Sequence, residues 1–143
     1  MKADIGEKGK TFHLEVEAEK AKALNGKKLG EELDGSAIDA KLAGFTLKIT
    51  GLSNSAGFPS REDVEGLGLR RVLLKGGVGM SGKRAKNSKK IRGLRLRKTI
   101  RGNTIAKDIA QINLKVITGS KSLAEILGKG KEESTKEVKE EKI

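Results

Sequence analysis

The chain has no cysteine, which excludes disulfides, thiolate metal sites and cysteine nucleophiles. It has a single histidine, His13. That leaves no histidine-based metal cluster and argues against a Ser/His/Asp triad. Its only aromatic residues are Phe12, Phe45 and Phe58, too few for a platform that stacks successive single-stranded bases. No apolar run approaches the roughly 18 residues that a transmembrane helix needs. The N-terminus carries no recognisable secretory signal, so a soluble cytoplasmic protein is expected. Acidic residues are missing from one long stretch, with none between Glu65 and Asp108.

Among the 143 residues, basic side chains outnumber acidic ones to give a formal net charge of +12. Residues 1–65 hold ten basic and twelve acidic residues, whereas residues 66–128 hold sixteen basic residues against Asp108 and Glu125 alone. The last fifteen residues, 129–143, hold five of each. The densest segment is Lys83 to Arg101, with ten basic residues in nineteen. Solubility is served by mixed charges, and a single-sign block repels itself. Such a block becomes tolerable when a polyanion neutralises it and counterions are released. The expected partner is therefore a nucleic acid.

Short alternating segments dominate the chain and predict strands. Phe12, Leu14 and Val16 share one face, with His13 and Glu15 on the other, where His13 reads as a surface residue. Phe45, Leu47 and Ile49 alternate with Thr46, Lys48 and Thr50. Leu69 to Leu74 is a compact apolar run containing Arg70 and Arg71. Ile112, Leu114 and Val116 form a last strand. Glycine turns such as Asn25-Gly26, Asp34-Gly35 and Gly76-Gly77 separate these segments, which suggests a small barrel or sandwich. Helix is minor: a turn or two over Glu19 to Leu24, and a short helix capped by Ser120 or Ser122 and running through Leu127. From Lys129 onward the charges alternate with little apolar content, so 129–143 is expected to be a flexible tail outside the core.

The alternation continues at Leu94 to Arg101. A strand there turns Leu94, Leu96 and Ile100 to the core and sets Arg95, Arg97 and Arg101 on the solvent face, with Arg95 and Arg97 about 6.8 Å apart. Guanidinium groups in such a row can grip phosphate oxygens bidentately. The preceding stretch, Gly76 to Lys90, is almost free of apolar residues and reads as a long mobile basic loop that orders on its partner.

Some motifs suggest other chemistry. Gly77 to Gly82 fits G-x-G-x-x-G, and Gly77 to Lys83 begins a P-loop pattern. However, Arg84 stands where a P-loop needs Ser or Thr to hold Mg²⁺. No amphipathic helical period follows, and no acid lies about twenty residues on. The glycines instead give the backbone freedom to approach phosphates closely. Glu31, Glu32, Asp34 and Asp39 have no catalytic or metal-binding spacing and read as a solvated face. Phe58-Pro59 reads as a loop anchor.

Taken together, Gly44-Phe45-Thr46-Leu47-Lys48-Ile49-Thr50-Gly51, then Gly57-Phe58-Pro59, then Arg70-Arg71-Val72-Leu73-Leu74-Lys75-Gly76, then Arg97-Lys98-Thr99-Ile100-Arg101-Gly102 resemble a family. It is the eukaryotic and archaeal small-subunit ribosomal protein family S-six-e (S6e). The resemblance runs from residue 1 to about 128 and departs from the family pattern at Leu52, Asn54 and Ser60. The long basic C-terminal helix of the eukaryotic members is absent, so the chain looks like a short, archaeal-type member. The resemblance implies a mainly β fold, a small β-barrel with one or two short helices. It also implies a structural, non-enzymatic role in the ribosome, with no cofactor, no metal and no small-molecule substrate.

The expected organisation is an rRNA-binding domain over 1–128, including the basic segment 76–101, followed by the tail. Small-subunit ribosomal RNA and neighbouring ribosomal proteins are the expected partners, with no membrane. The residues expected on rRNA phosphates are Lys83, Arg84, Lys86, Lys89, Lys90, Arg92, Arg95, Arg97, Lys98 and Arg101. The rival readings are a free-standing RNA-chaperone or DNA-compacting protein and a P-loop-like nucleotide-binding enzyme.

Overall fold

The computed structural model describes residues 1–84, 89–119 and 122–127. The expected tail at 129–143 and the basic-segment residues 85–88 lie outside them. Among the described residues, seven strands form two sheets. They are β1 (Lys2–Glu7), β2 (Lys10–Glu15), β3 (Glu32–Asp34), β4 (Thr46–Asn54), β5 (Leu69–Leu74), β6 (Leu96–Arg101) and β7 (Ile109–Thr118), with one short helix, α1 (Ala18–Ala23), after β2. A second helical turn spans residues 123–127.

The main sheet has the order β2-β1-β7-β4-β3. Its first and last strands, β1 and β7, lie side by side and parallel, and every other pair is antiparallel. The fold is mainly β, as the alternating segments predict. The strand ladder does not close, however: β2 and β3 remain separate edges. The barrel expected from the resemblance is thus an open sheet, because β5 and β6 pair with each other as a detached ribbon instead of bridging those edges.

Alternation decides what the main sheet buries. Ala3 and Ile5 of β1, Leu47, Ile49 and Leu52 of β4, and Ile112 and Leu114 of β7 all turn to one face and are buried with Phe45 and Leu42. The step from Ile49 to Leu52 breaks period two. A bulge solves this: Ile49 lies opposite Leu114 and Gly51 opposite Asn113, so Thr50 is the extra residue and the phase flips. Leu24, the C-cap of α1, plugs one end of this core, and Leu123 of the 123–127 turn enters it as well. The first N–H of that turn, from Leu123, donates to the Glu7 carboxylate at 2.7 Å, a cap supplied from the other end of the chain.

A second, smaller core lies under the ribbon, where Val64, Leu74, Met80 and Ile100 are buried with Val72, Leu94 and Leu96 packed against them. Leu94, Leu96 and Ile100 do share a face as predicted, but they serve this second core. Met80 corrects the expectation of a featureless loop after Gly76. Its N–H donates to the Gly77 carbonyl at 3.0 Å in a tight turn, and its side chain is buried in the ribbon core. No helix begins within the described residues 81–84 or 89–95, so the glycine motif has no helix N-terminus at which to hold a phosphate.

The two sheets are joined at one junction. The turn after β4 is organised by Asn54, whose Oδ1 accepts from the Phe58 N–H at 2.8 Å and whose own N–H donates to the Phe58 carbonyl. This is the loop anchor expected at Phe58-Pro59. Ser60 then bridges to Arg101, and Asn103 donates its N–H to Val64 while accepting from Leu29. Gly102 lies against Gly66 so closely that a Cβ there would collide with the Gly66 backbone.

Candidate nucleic-acid interface

The ribbon carries the sequence-predicted residues, and its register sorts them by face. Along β6, Arg97 lies opposite Leu73, Lys98 opposite Val72, Thr99 opposite Arg71 and Ile100 opposite Arg70. Directly opposed residues share a face, and a strand alternates faces. Arg97 and Arg71 therefore emerge on one side of the ribbon, as diagonal neighbours about 7 Å apart. Lys98 and Arg70 emerge on the other side in the same relation. All four are exposed. Arg95 precedes the strand and is exposed, as are Arg84, Lys89, Lys90 and Arg92, while Lys83 is half-buried. Lys86 lies outside the described residues.

Arg70 and Arg71 were not among the residues expected on RNA. Two arginines inside an apolar strand of six are a legible signal, because a ribbon this narrow cannot bury both.

Arg101 departs from the expectation. It does not join Arg95 and Arg97 on the solvent face but is fully buried. β6 ends at Arg101 and the chain folds back over it through 102–108. Its Nε and Nη2 donate to the two oxygens of Asp108, both at 2.7 Å. Nη1 donates to the carbonyls of Gly102, at 3.1 Å, and Thr104, at 2.5 Å. The side chain has four donated hydrogen bonds and no water-facing edge, so it cannot reach a phosphate without breaking the junction. The Arg101 hydrogen bonds, followed by its charge, hold the Asp108 carboxyl below the usual carboxylate range, against the opposing effect of partial burial. Arg101 is thus a structural clamp between the ribbon and the main sheet.

The open face of the main sheet is chemically different. Asp4 accepts from Gln111 Nε2 at 2.6 Å and lies 2.6 Å from His13 Nδ1, and Gln111 also donates to Asn113 Oδ1. His13 lies on the polar face, as expected. Among the described residues, no three His, Asp or Glu side chains converge as metal ligands. Among the described residues, no helix is long and apolar enough to cross a membrane.

Comparison with known proteins agrees with the strand-borne motifs. The family description "Ribosomal protein S6e" matches residues 1–128. The chain belongs to the ribosomal protein S6e family. Its relatives include the "Small ribosomal subunit protein eS6" of Methanosphaera stadtmanae, 46% identical over 133 residues, which covers 92% of this chain and 95% of the relative. The protein of the same name from Methanobrevibacter smithii is 44% identical over 93% of this chain and 96% of its own length. The one from Methanocaldococcus jannaschii is 49% identical over 73% of this chain and 74% of its own. These three relatives are archaeal, in keeping with the archaeal-type member expected from the sequence. The family matches reach across both sheets and the junction, so they cover the ribbon as well as the larger core.

Proposed function

We propose that this S6e-family chain is a structural constituent of the small ribosomal subunit, in the cytoplasm, and holds ribosomal RNA by phosphate contacts from the ribbon and the basic segment before it. The contacts come from Lys83, Arg84, Lys86, Lys89, Lys90, Arg92, Arg95, Arg97 and Lys98, to which the ribbon geometry adds Arg70 and Arg71. Arg101 anchors the ribbon and touches no RNA. The domain that binds rRNA is 1–128, followed by the charged segment 129–143, which lies outside the described residues, and neighbouring ribosomal proteins are further partners.

One observation carries this reading. Residues 66–104 contain thirteen basic residues and no acid, and the ribbon holds its basic side chains out on both faces. The face with Arg71 and Arg97 is turned away from the small core and can meet RNA, while Arg70 and Lys98 are exposed on the face that Leu74, Leu96 and Ile100 turn to that core. Phosphate contacts of this kind position the protein and read little sequence. The scarcity of aromatic side chains fits recognition of folded RNA by shape.

Binding to small-subunit rRNA should fall steeply with salt. About six phosphate contacts predict roughly a thousandfold loss of affinity between about 50 and 200 mM salt. A flat response would remove the phosphate reading. In sucrose gradients the chain should travel with small subunits; sedimentation away from them would favour a free-standing nucleic-acid binder.

A further inference from the structure

The ribbon has two long edges, one along β5 and one along β6. That of β6 is partly closed. The Arg101 N–H donates to the Pro59 carbonyl at 2.9 Å, and the Arg101 carbonyl accepts from the Arg61 N–H at 3.4 Å. Both backbone groups of Arg101 therefore point away from β5.

This fixes which backbone groups of β5 are free. The Gly102 N–H donates to the Gly68 carbonyl at 3.0 Å. Leu69 and Arg101 are thus an opposed pair without mutual hydrogen bonds, flanked by bonded positions. The register runs without a shift from there to Leu74 opposite Leu96. Alternation puts the bonded pairs at Arg70, Val72 and Leu74, and turns the N–H and C=O groups of Leu69, Arg71 and Leu73 outward. Among the described residues, none of these three takes part in a backbone hydrogen bond outside the ribbon.

The side chains beside this open edge are apolar. Leu69 and Leu73 are 50% and 51% exposed, on the same face as Arg71, which lies between them. A hollow of about 630 Å³ lies alongside, between the 61–65 loop and β5, with Val64 and Val72 in its walls. An unshielded edge flanked by exposed leucines is a template for another strand.

The edge also selects its occupant. Donors and acceptors alternate along it, and an extended polypeptide backbone supplies the matching groups in that order. Phosphates only accept, so they would leave the carbonyls of Leu69, Arg71 and Leu73 unpaired. A second copy of β5 fits poorly. Antiparallel pairing that sets Leu69 against the copy's Leu73 also sets Arg71 against Arg71, and like charges directly opposed are destabilising. The chain's own residues 129–143 do not match either. Their apolar side chains, Val138 and Ile143, are five apart and would fall on opposite faces of a strand.

We propose that the open edge of β5 receives an extended segment of another protein of the small subunit, added as a third strand of the ribbon. The segment has apolar side chains at two positions four apart, which cover Leu69 and Leu73, and no cation at the position between them, opposite Arg71. A side chain on its other face enters the hollow beside Val72. Two strands alone are marginal in water, and a third strand with apolar cover supplies what the ribbon lacks. The added strand pairs backbone to backbone, so the guanidinium groups of Arg71 and Arg97 remain free for phosphate. The inference rests on the small-subunit reading above, which supplies the neighbouring proteins.

The test compares the free chain with purified small subunits that carry it. In the free chain the amides of Leu69, Arg71 and Leu73 should exchange with solvent faster than those of Arg70, Val72 and Leu74. Within the subunit the first three should slow by about tenfold or more. A chain made with a diazirine analogue of leucine and activated by light should form adducts from positions 69 and 73. Those adducts should fall on one stretch of another protein, with apolar residues four apart. Leu73→Pro removes an outward N–H and an apolar side chain while leaving the bonds to β6 in place. It should abolish the adducts from position 69 and the added protection of Arg71, while the chain still travels with small subunits. Should the proline unfold the ribbon, Leu69→Thr with Leu73→Thr keeps every N–H and suits a strand. That pair should lower the protection of Arg71 by about fivefold. Unchanged exchange at all three amides within the subunit would overturn the added strand, as would adducts on rRNA alone or on a second copy of the chain. These outcomes leave the phosphate reading in place. A chain that fails to sediment with small subunits would overturn both.

Discussion

The main sheet and the ribbon differ in how they are held. The sheet buries sixteen hydrophobic residues in one core, against four under the ribbon. Residues 1–54 and 105–119 carry eleven basic and ten acidic side chains, while 66–104 carry thirteen basic and none acidic. A two-stranded ribbon is marginal in water by itself, and four buried side chains add little to it. The ribbon therefore depends on its junction with the sheet. The sheet serves as a scaffold with its own stability, from which the basic element is extended.

The largest expected effect tests the scaffold. Phe45→Ala removes a ring that is 2% exposed and packs so tightly against Gly119 that a Cβ there would collide with it. The loss should be about 4 kcal/mol of global stability, by transfer and cavity terms together. Chemical denaturation should show a lower midpoint with both sheets unfolding together. A loss under about 1 kcal/mol would mean that the large core is not what holds the sheet.

Next comes the clamp, where the comparison is sharpest. Arg101→Ala should cost about 3 kcal/mol, because it orphans buried acceptors and removes the paired charge. The cost should be local. Hydrogen exchange should quicken in β5 and β6 while β1, β4 and β7 keep most of their protection. Arg101→Lys should not rescue it, because one ammonium cannot make the two-pronged contact with Asp108 and still reach both carbonyls. Equal loss of protection in both sheets would show that the two regions form one cooperative unit.

The third effect is on binding and should leave folding alone. Alanine at Arg70, Arg71, Arg97 and Lys98 together should lower rRNA affinity by about a hundredfold at low salt and flatten the salt dependence by roughly four contacts. Their exposure predicts a change in melting temperature near zero, or a slight rise as repulsion within the ribbon falls. Alanine at Lys2, Lys8, Lys10 and Lys48, the same number of charges on the main sheet, should cost less than about threefold. Similar losses from both sets would end the division of labour between sheet and ribbon.

These contrasts show what could be read from sequence and what could not. The strands were legible wherever alternation was unbroken, as at Phe45, Leu47 and Ile49. The flip at Thr50 was not, because a bulge is set by the register with β7, which alternation in one strand does not contain. The basic segment was legible as charge, but its faces were not. Arg101 continued the row of Arg95 and Arg97 in sequence, yet its environment is decided by the fold-back through 102–108. One signal pointed to it: Asp108 is the first acid after a run without any, seven residues beyond Arg101. The Glu7 cap on Leu123 joins opposite ends of the chain and leaves no local trace. The open sheet followed from β5 and β6 pairing only with each other, whereas a list of short strands suits a barrel equally well.

The smallest expected effect is that of pH on the junction. The Asp108 carboxyl titrates below its ordinary value in the folded chain, chiefly because Arg101 donates hydrogen bonds to it. A group with a depressed folded pKa contributes stability that is fully present above its unfolded value, about 3.9. That contribution is lost as pH falls through the folded value. The junction should therefore be indifferent to pH from neutrality down to about 5 and weaken below about 4. The Asp108 side chain is 46% exposed, so solvent screens the pair and the loss should be modest. Asp108→Asn keeps one acceptor and removes the charge. It should lower stability at neutral pH and abolish the part of the acid transition that is due to this group. Hydrogen exchange of β5 and β6 amides at pH 6 and pH 3.5, in the wild type and in Asp108→Asn, gives the measurement. If both proteins loosen equally at low pH, the acid sensitivity belongs to other carboxylates, and the clamp is held by Arg101's carbonyl contacts rather than by its charge pair.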